Sequence, residues 1–238
     1  MYYSQYQQDK FIDKVIFAGK KNGFFVDIGA YDGITINNTI FFEKFRNWTG
    51  LCIEPNPKVF PQLKRSRSCK VFNCCIGDFT GVSVFLHVTG ESEMLSGLKN
   101  SYDPRHIDRI EREVLKNDGK IREISVEVKP LSYFLNIEQK IDFLSIDTEG
   151  NEFEILKTID FSKIEIYSIS IENNYKNSEI EDYLSTKGFL KICSLVCDEI
   201  YVDKSIINLS MKLRLFLWKI NTRIALHKKG LKKRLGFS

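Results

Sequence analysis

Five short segments carry the residues whose types suit chemistry. They are Asp27-Ile28-Gly29-Ala30-Tyr31-Asp32-Gly33, Glu54-Pro55-Asn56, Cys75-Ile76-Gly77-Asp78, Asp147-Thr148-Glu149-Gly150 and Glu172-Asn173-Asn174, and each ends a short apolar run. All but the third place a carboxylate at or beside the end of the run, and the third has Asp78 just beyond it. The glycines of the first segment follow the pattern G-x-x-x-G. A dinucleotide site needs G-x-G-x-x-G, which lets the backbone approach a pyrophosphate, and a site rich in acids repels that group. S-adenosylmethionine carries an adenosine, an ammonium and a sulfonium but no phosphate, so carboxylates beside a permissive glycine turn suit it. On this reading Glu54 accepts hydrogen bonds from the ribose hydroxyls, and Asp27 positions the amino-acid moiety through charge-assisted bonds. Gly29, Ala30, Asp32, Pro55, Asn56, Ile76 and Asp147 complete the expected cofactor set. Each residue alone has a plainer use: Gly29 as a tight turn, Asp32 as an Asx turn, Glu54 as a solvated strand end. Their order, with strand and helix between them, favours the cofactor site.

These segments need elements to hold them, and the hydrophobic pattern supplies strands alternating with helices. Phe24–Ile28, Leu51–Glu54, Val71–Ile76, Ile141–Asp147 and Ile166–Glu172 read as strands, with two more at Phe189–Leu195 and Glu199–Val202. Helical spacing appears over Thr35–Phe45, from Val59 onward, and over Glu152–Ile159 and Ser178–Thr186. Residues 88–122 lose the pattern apart from a charged helical segment around Ile107–Leu115, and Val82–Leu86 reads as an extra hairpin strand. The stretch is an insertion or lid. Strand–helix alternation predicts an α/β fold with a mostly parallel sheet covered on both faces, and ligands then bind beyond the carboxyl ends of the strands.

The chain resembles the FkbM family of S-adenosylmethionine-dependent methyltransferases. The resemblance lies in Phe25–Gly33, Asn38-Thr39, Phe42-Glu43, Cys52–Pro57 and Ile141–Glu152, and also in Tyr3–Tyr6, Gln8-Asp9, Glu93–Gly97 and Tyr102–His106. It implies a Rossmann-like, seven-stranded class I methyltransferase sheet with an insertion after the third strand. It also implies O-methylation of a hydroxyl on a sugar, glycan or glycosylated metabolite. Methyl transfer to oxygen is an in-line displacement that requires alignment and a base. Asp147 and Glu172 end two strands expected to be neighbours, an arrangement similar to catechol-type O-methyltransferases. With Asn173 they form a hard oxygen set that suits Mg²⁺ or a related cation and not zinc, and such an ion would orient and acidify the hydroxyl. Without metal, His106 is the alternative base, ahead of His87 and His227. The plainer use of Asp147 is to cap a helix starting near Asn151, with Glu149 and Glu152 complementing its dipole.

Charge divides the chain into an expected methyltransferase domain, 1–203, and a basic amphipathic tail, 204–238. Ten of the 35 basic residues lie from Lys204 onward with no acidic residue among them, which leaves the rest of the chain at net −6. An acidic body opposes nucleic acid as the partner and favours a small-molecule or glycan acceptor. The Asp/Asn-Pro-Pro-aromatic signature of amino-nitrogen methylation is also missing from the sequence. A non-catalytic module that keeps the fold is the other reading, and the full set of carboxylates opposes it. In the tail, Ile206, Leu209, Leu213, Phe216, Ile220, Ile224, Leu231 and Leu235 form a stripe beside Lys212, Lys219, Arg223, Lys228 and Lys232. Charges interrupt it too often to span a bilayer. It is expected either to lie on an anionic membrane surface or to pack on the body or a second subunit. The N-terminus shows no signal peptide, and the six cysteines form no C-x-x-C pair, so a cytoplasmic protein, peripherally membrane-associated if the tail binds lipid, is expected.

Overall fold

The computed structural model describes residues 1–99, 102, 104–136 and 139–234. Asp103 and Leu235, named above, lie outside the described residues, as do the side chains of Pro104 and of residues 225–234, among them His227, Lys228, Leu231 and Lys232.

The strands are Phe24–Ile28 (β1), Thr49–Ile53 (β2), Lys70–Phe72 (β3), Cys75–Ile76 (β4), Gly81–Val88 (β5), Gly97–Leu98 (β6), Ile121–Lys129 (β7), Ile141–Ile146 (β8), Ile166–Glu172 (β9), Phe189–Leu195 (β10) and Asp198–Asp203 (β11). Seven of them pair in the order β10-β11-β9-β8-β1-β2-β3. β3, β2, β1, β8 and β9 run parallel, and β11 is antiparallel to both of its neighbours. This is the α/β, Rossmann-like seven-stranded sheet that the resemblance implies. Every residue of β8 is buried, as a central parallel strand covered on both faces requires.

The helices are Gln8–Phe11 (α1, continued by a wider π turn through Ile16), Ile40–Arg46 (α2), Phe60–Ser66 (α3), Pro104–Lys116 (α4), Glu152–Thr158 (α5), Ser178–Thr186 (α6) and Leu209–Arg234 (α7). Side chains alternate across each strand, so one sheet supplies two cores. Val26, Ile28, Leu144, Ile146, Ile169 and Ile171 pack with Ile155 and Leu156 of α5 and Ile180 and Leu184 of α6. On the other face Phe25, Cys52, Phe143 and Ile200 pack with Phe11, Ile12, Phe41, Phe42, Leu63 and Met211. The first turns of α7 are thus part of this second core. Arg214 donates to the carbonyls of Val15 (2.8 Å) and Ile16 (3.2 Å), and Trp218 meets Phe11 edge-on at 5.2 Å.

Three local expectations need correcting. The apolar run Val71–Ile76 is not one strand: Asn73 donates to the Glu54 carbonyl at 2.8 Å, and the chain turns there, so β4 leaves the main sheet to pair with β7. The insertion therefore begins earlier and ends later than residues 88–122. Its four strands make a second sheet, β4-β7-β5-β6, with α4 laid over one end through Val88, Leu95 and Ile110. The helix expected from Thr35 begins only at Ile40, because residues 32–39 form a hydrogen-bonded loop beneath the site.

Candidate active site

Chain order reverses at β1: β2 and β3 lie to one side, β8 and β9 to the other. A crevice forms at such a switch point beyond the carboxyl ends of the strands. Gly29 sits in it at φ +83°, and a Cβ there would overlap the Asp147 carbonyl oxygen. Only glycine lets the two strand ends approach this closely. Gly29, Glu54, Pro55, Asn56, Ile76 and Asp147, six of the residues expected to bind the cofactor, line one cavity together with Tyr31 and Glu149. Its apolar wall is Ile28, Ile53, Ile76 and Ile155. The insertion contributes Glu93, Met94, Ser96 and Leu98 to the lining. Spacing did not assign these residues a role, although Glu93–Gly97 is one of the segments that carry the family resemblance.

Glu54 is held firmly at the end of β2. Its carboxylate accepts from the backbone N–H of Tyr31 (2.9 Å) and of Asn56 (2.8 Å). Burial pushes its pKa up to about 7, against the pull of those two donors. A fixed carboxylate facing an apolar slot fits the vicinal hydroxyls of a ribose. Glu54→Ala is expected to weaken S-adenosylmethionine binding by about 1.5–3 kcal/mol, the range for bonds to charged groups. Wild-type affinity is expected to rise with pH through about 7 as the carboxylate ionises, a dependence that the variant loses. Calorimetric titration across pH reads both, and unchanged affinity in a folded variant would remove Glu54 from the site.

Three expected cofactor residues do not reach the cavity. Asp27 is turned beneath its floor: its carboxylate accepts from Asn37 Nδ2 (2.8 Å) and Thr39 Oγ1 (2.7 Å) and lies 3.7 Å from Arg67. In this structure it braces the loop after β1. Asp32 is committed to its own turn, accepting from the N–H groups of Ile34 and Thr35 and from Thr35 Oγ1. Ala30 is packed in the second core.

Beside the cavity, Asp147, Glu149 and Glu172 each offer a carboxylate oxygen, and the three lie within 4.8 Å of one another. Burial, then mutual repulsion, raises Asp147 well above the usual carboxylate range and pushes Glu172 up to about 9. Glu149 is raised to about 7 by burial, with Arg109 at 3.1 Å opposing the shift. Glu149 thus stands with Asp147 and Glu172, two of the three residues expected as ligands. The Asn173 amide donates to the Asn177 carbonyl and accepts the Asn177 N–H, which fixes the turn before α6. Asp147 is not the helix cap either. Glu152 folds back to accept from the N–H groups of Thr148 and Gly150 at 2.9 Å, leaving Asp147 to the cluster.

The insertion covers this end of the sheet. On α4, Arg109 pairs with Glu149, Arg105 lies 4.2 Å over the ring of Tyr175, and His106 packs against Gly150. His106 is fully buried and stacked on Tyr102, outside the cavity wall. A base must reach the acceptor's proton, and in this structure Asp147 and Glu149 line the cavity while His106 does not. His87 lies in the second sheet, 3.7 Å from Glu93.

Residues 27–191 match the family described as Methyltransferase FkbM domain. The chain belongs to the FkbM methyltransferase family. Among its relatives, Methyltransferase sdnD of Sordaria araneosa is 25% identical over 193 residues, 71% of this chain and 74% of that protein. Among solved structures, the METTL16 MTase domain aligns at 11% identity with a TM-score of 0.45, over 82% of this chain and 65% of that one. Precorrin-6y C5,15-methyltransferase from Geobacter metallireducens GS-15 aligns at 10% identity and a TM-score of 0.41, over 83% and 88% of the two chains. This FkbM chain is accordingly an S-adenosylmethionine-dependent methyltransferase. Its own residues fit that cofactor: the anchored Glu54 carboxylate, the close approach at Gly29 and the apolar wall form one slot.

Proposed function

We propose that this FkbM enzyme methylates a hydroxyl group of a sugar, either in a glycan or on a glycosylated metabolite. The observation that carries the reading is the carboxylate cluster at the cofactor cavity, three groups within 4.8 Å of one another whose proton affinity burial and mutual repulsion raise. A hydroxyl gives up its proton as the new O–C bond forms, and a raised carboxylate is the stronger acceptor for it. The bound cofactor supplies an electrophilic methyl group on a sulfonium. Asp147, which lines the cavity, orients the acceptor oxygen and in its ionised form takes the proton as the O–C bond forms and the C–S bond breaks, with Glu172 next to it in the cluster. Were Mg²⁺ or a related hard cation to take part, Asp147, Glu149 and Glu172 would hold it, and the ion would orient and acidify the hydroxyl. The acidic surroundings support a small-molecule or glycan acceptor over a nucleic acid.

The test is transfer from isotopically labelled S-adenosylmethionine to panels of sugar, amine and oligonucleotide acceptors. The label is expected on a sugar oxygen, and label on nitrogen or on a base would overturn the reading. Chelation by EDTA followed by Mg²⁺ addition separates the two versions of the chemistry. Loss and recovery of rate assign a metal to the cluster, and an unchanged rate assigns the proton to Asp147 alone.

A further inference from the structure

A continuous apolar stripe on α7 faces away from the body. Leu209, Leu213, Phe216, Leu217, Ile220 and Ile224 are all exposed, Leu209 to 83% and Phe216 to 60%. Steps of three and four residues keep them on one side of the helix. Met211, Arg214, Leu215 and Trp218 occupy the other side and hold α7 to the N-terminal segment. Lys212, Lys219 and Arg223 fall between the two sides, along one flank of the stripe. The stripe is too large and too continuous to be scattered surface apolarity. No helix among the described residues is long and apolar enough to cross a membrane, so this one is suited to lie along a surface.

We propose that α7 docks the protein on an anionic lipid surface. The exposed stripe enters the boundary of the acyl chains, and the flanking cations extend to the headgroups. A second copy is the rival occupant, and charge favours the lipid over it. Antiparallel pairing of the stripe with its own copy would bring Lys212, Lys219 and Arg223 of two helices together, and residues 204–238 contain no acidic side chain to offset them. An anionic leaflet complements the same cations. The direction of the helix adds a consequence. Arg214 meets Val15 and Ile16 while Trp218 meets Phe11, so α7 runs back along the N-terminal segment toward Gln8. Gln8 bonds Asp198, which pairs with Glu172 at the carboxyl end of β9. Docking through α7 thus aligns the helix with an N-terminal segment that reaches the carboxyl end of β9.

Vesicle flotation of the full chain tests this, using phosphatidylcholine vesicles with and without phosphatidylglycerol. Truncation is the wrong perturbation, because it would strip Met211 and Trp218 from the core. Leu213→Glu with Phe216→Glu alters only exposed positions, and a thermal melt verifies that the variant folds. The wild-type chain is expected to float with the anionic vesicles alone and to be released by high salt. The double variant is expected to bind roughly tenfold or more weakly, since two large apolar side chains no longer enter the lipid. Absence of flotation with anionic vesicles overturns the proposal, as does equal flotation of a folded variant. If sedimentation velocity instead shows a dimer that the same substitutions dissolve, the stripe belongs to a second copy.

Discussion

Asp147→Asn is expected to lower turnover by a factor of about 10²–10⁴, the usual worth of a positioned acid or base. Cofactor affinity should change far less, because the lost role belongs to the transition state. Glu172→Gln is expected to slow the reaction as well, yet to raise the melting temperature at alkaline pH. The sign follows from the raised pKa. Glu172 titrates near 9 in the folded chain against an ordinary value of 4.5, so between these limits the folded state holds a proton that the unfolded state has released. Stability from this group is complete below 4.5 and is lost as pH rises toward 9. Glutamine has no such proton, and the variant loses that slope. Melting curves of both proteins at pH 5 and pH 8, with and without Mg²⁺, supply the check. A bound cation would compensate the charges and shrink the wild-type slope. Equal slopes in the two proteins would mean that Glu172 ionises normally, and wild-type turnover in Asp147→Asn would move the chemistry to another residue.

Where the sequence was legible, the pattern was local. β1, β9, β10 and α6 begin and end where apolar periodicity and a stopping residue such as Gly29 or Gly188 mark them. The cavity was legible for the same reason, since Gly29, Glu54 and Asp147 end three adjacent strands of one sheet and all line it. What was not legible depends on partners distant in sequence. A carboxylate that ends a strand looks the same whether it faces a cavity or turns beneath it, and Asp27 turns because Arg67 and Thr39 meet it there. Nothing near Arg67 sets it apart from its neighbours Lys64 and Arg65. Glu149 joins the acidic cluster through a backbone turn at φ 57°, which spacing does not reveal. The second sheet is assembled from strands as short as Cys75–Ile76 and Gly97–Leu98, too brief for any period to register.

Arg67→Met is expected to destabilise the chain by about 3–5 kcal/mol, the range for removing one partner of a buried ion pair. The side chain is fully enclosed and lies over the ring of Phe25. Its guanidinium donates to Glu43 (2.7 Å), Asn37 Oδ1 (3.1 Å) and Thr39 Oγ1 (2.9 Å), with Asp27 at 3.7 Å. Asn37 Oδ1 also accepts the N–H groups of Thr39 and Ile40, so one cation organises both the loop after β1 and the start of α2. Methionine fills much of the volume but leaves Asp27 buried with no countercharge. Burial already raises Asp27 against the pull of Arg67, and without that pull its pKa rises further. The variant should therefore be relatively more stable in acid, where Asp27 is protonated, and should weaken as pH rises above the ordinary value of 3.8. Adding Asp27→Asn to the variant removes the stranded charge and should recover a substantial part of the loss, which a double-mutant cycle by urea denaturation measures. Strict additivity of the two substitutions would show that Arg67 acts through packing on Phe25 alone and that Asp27 is not its electrostatic partner.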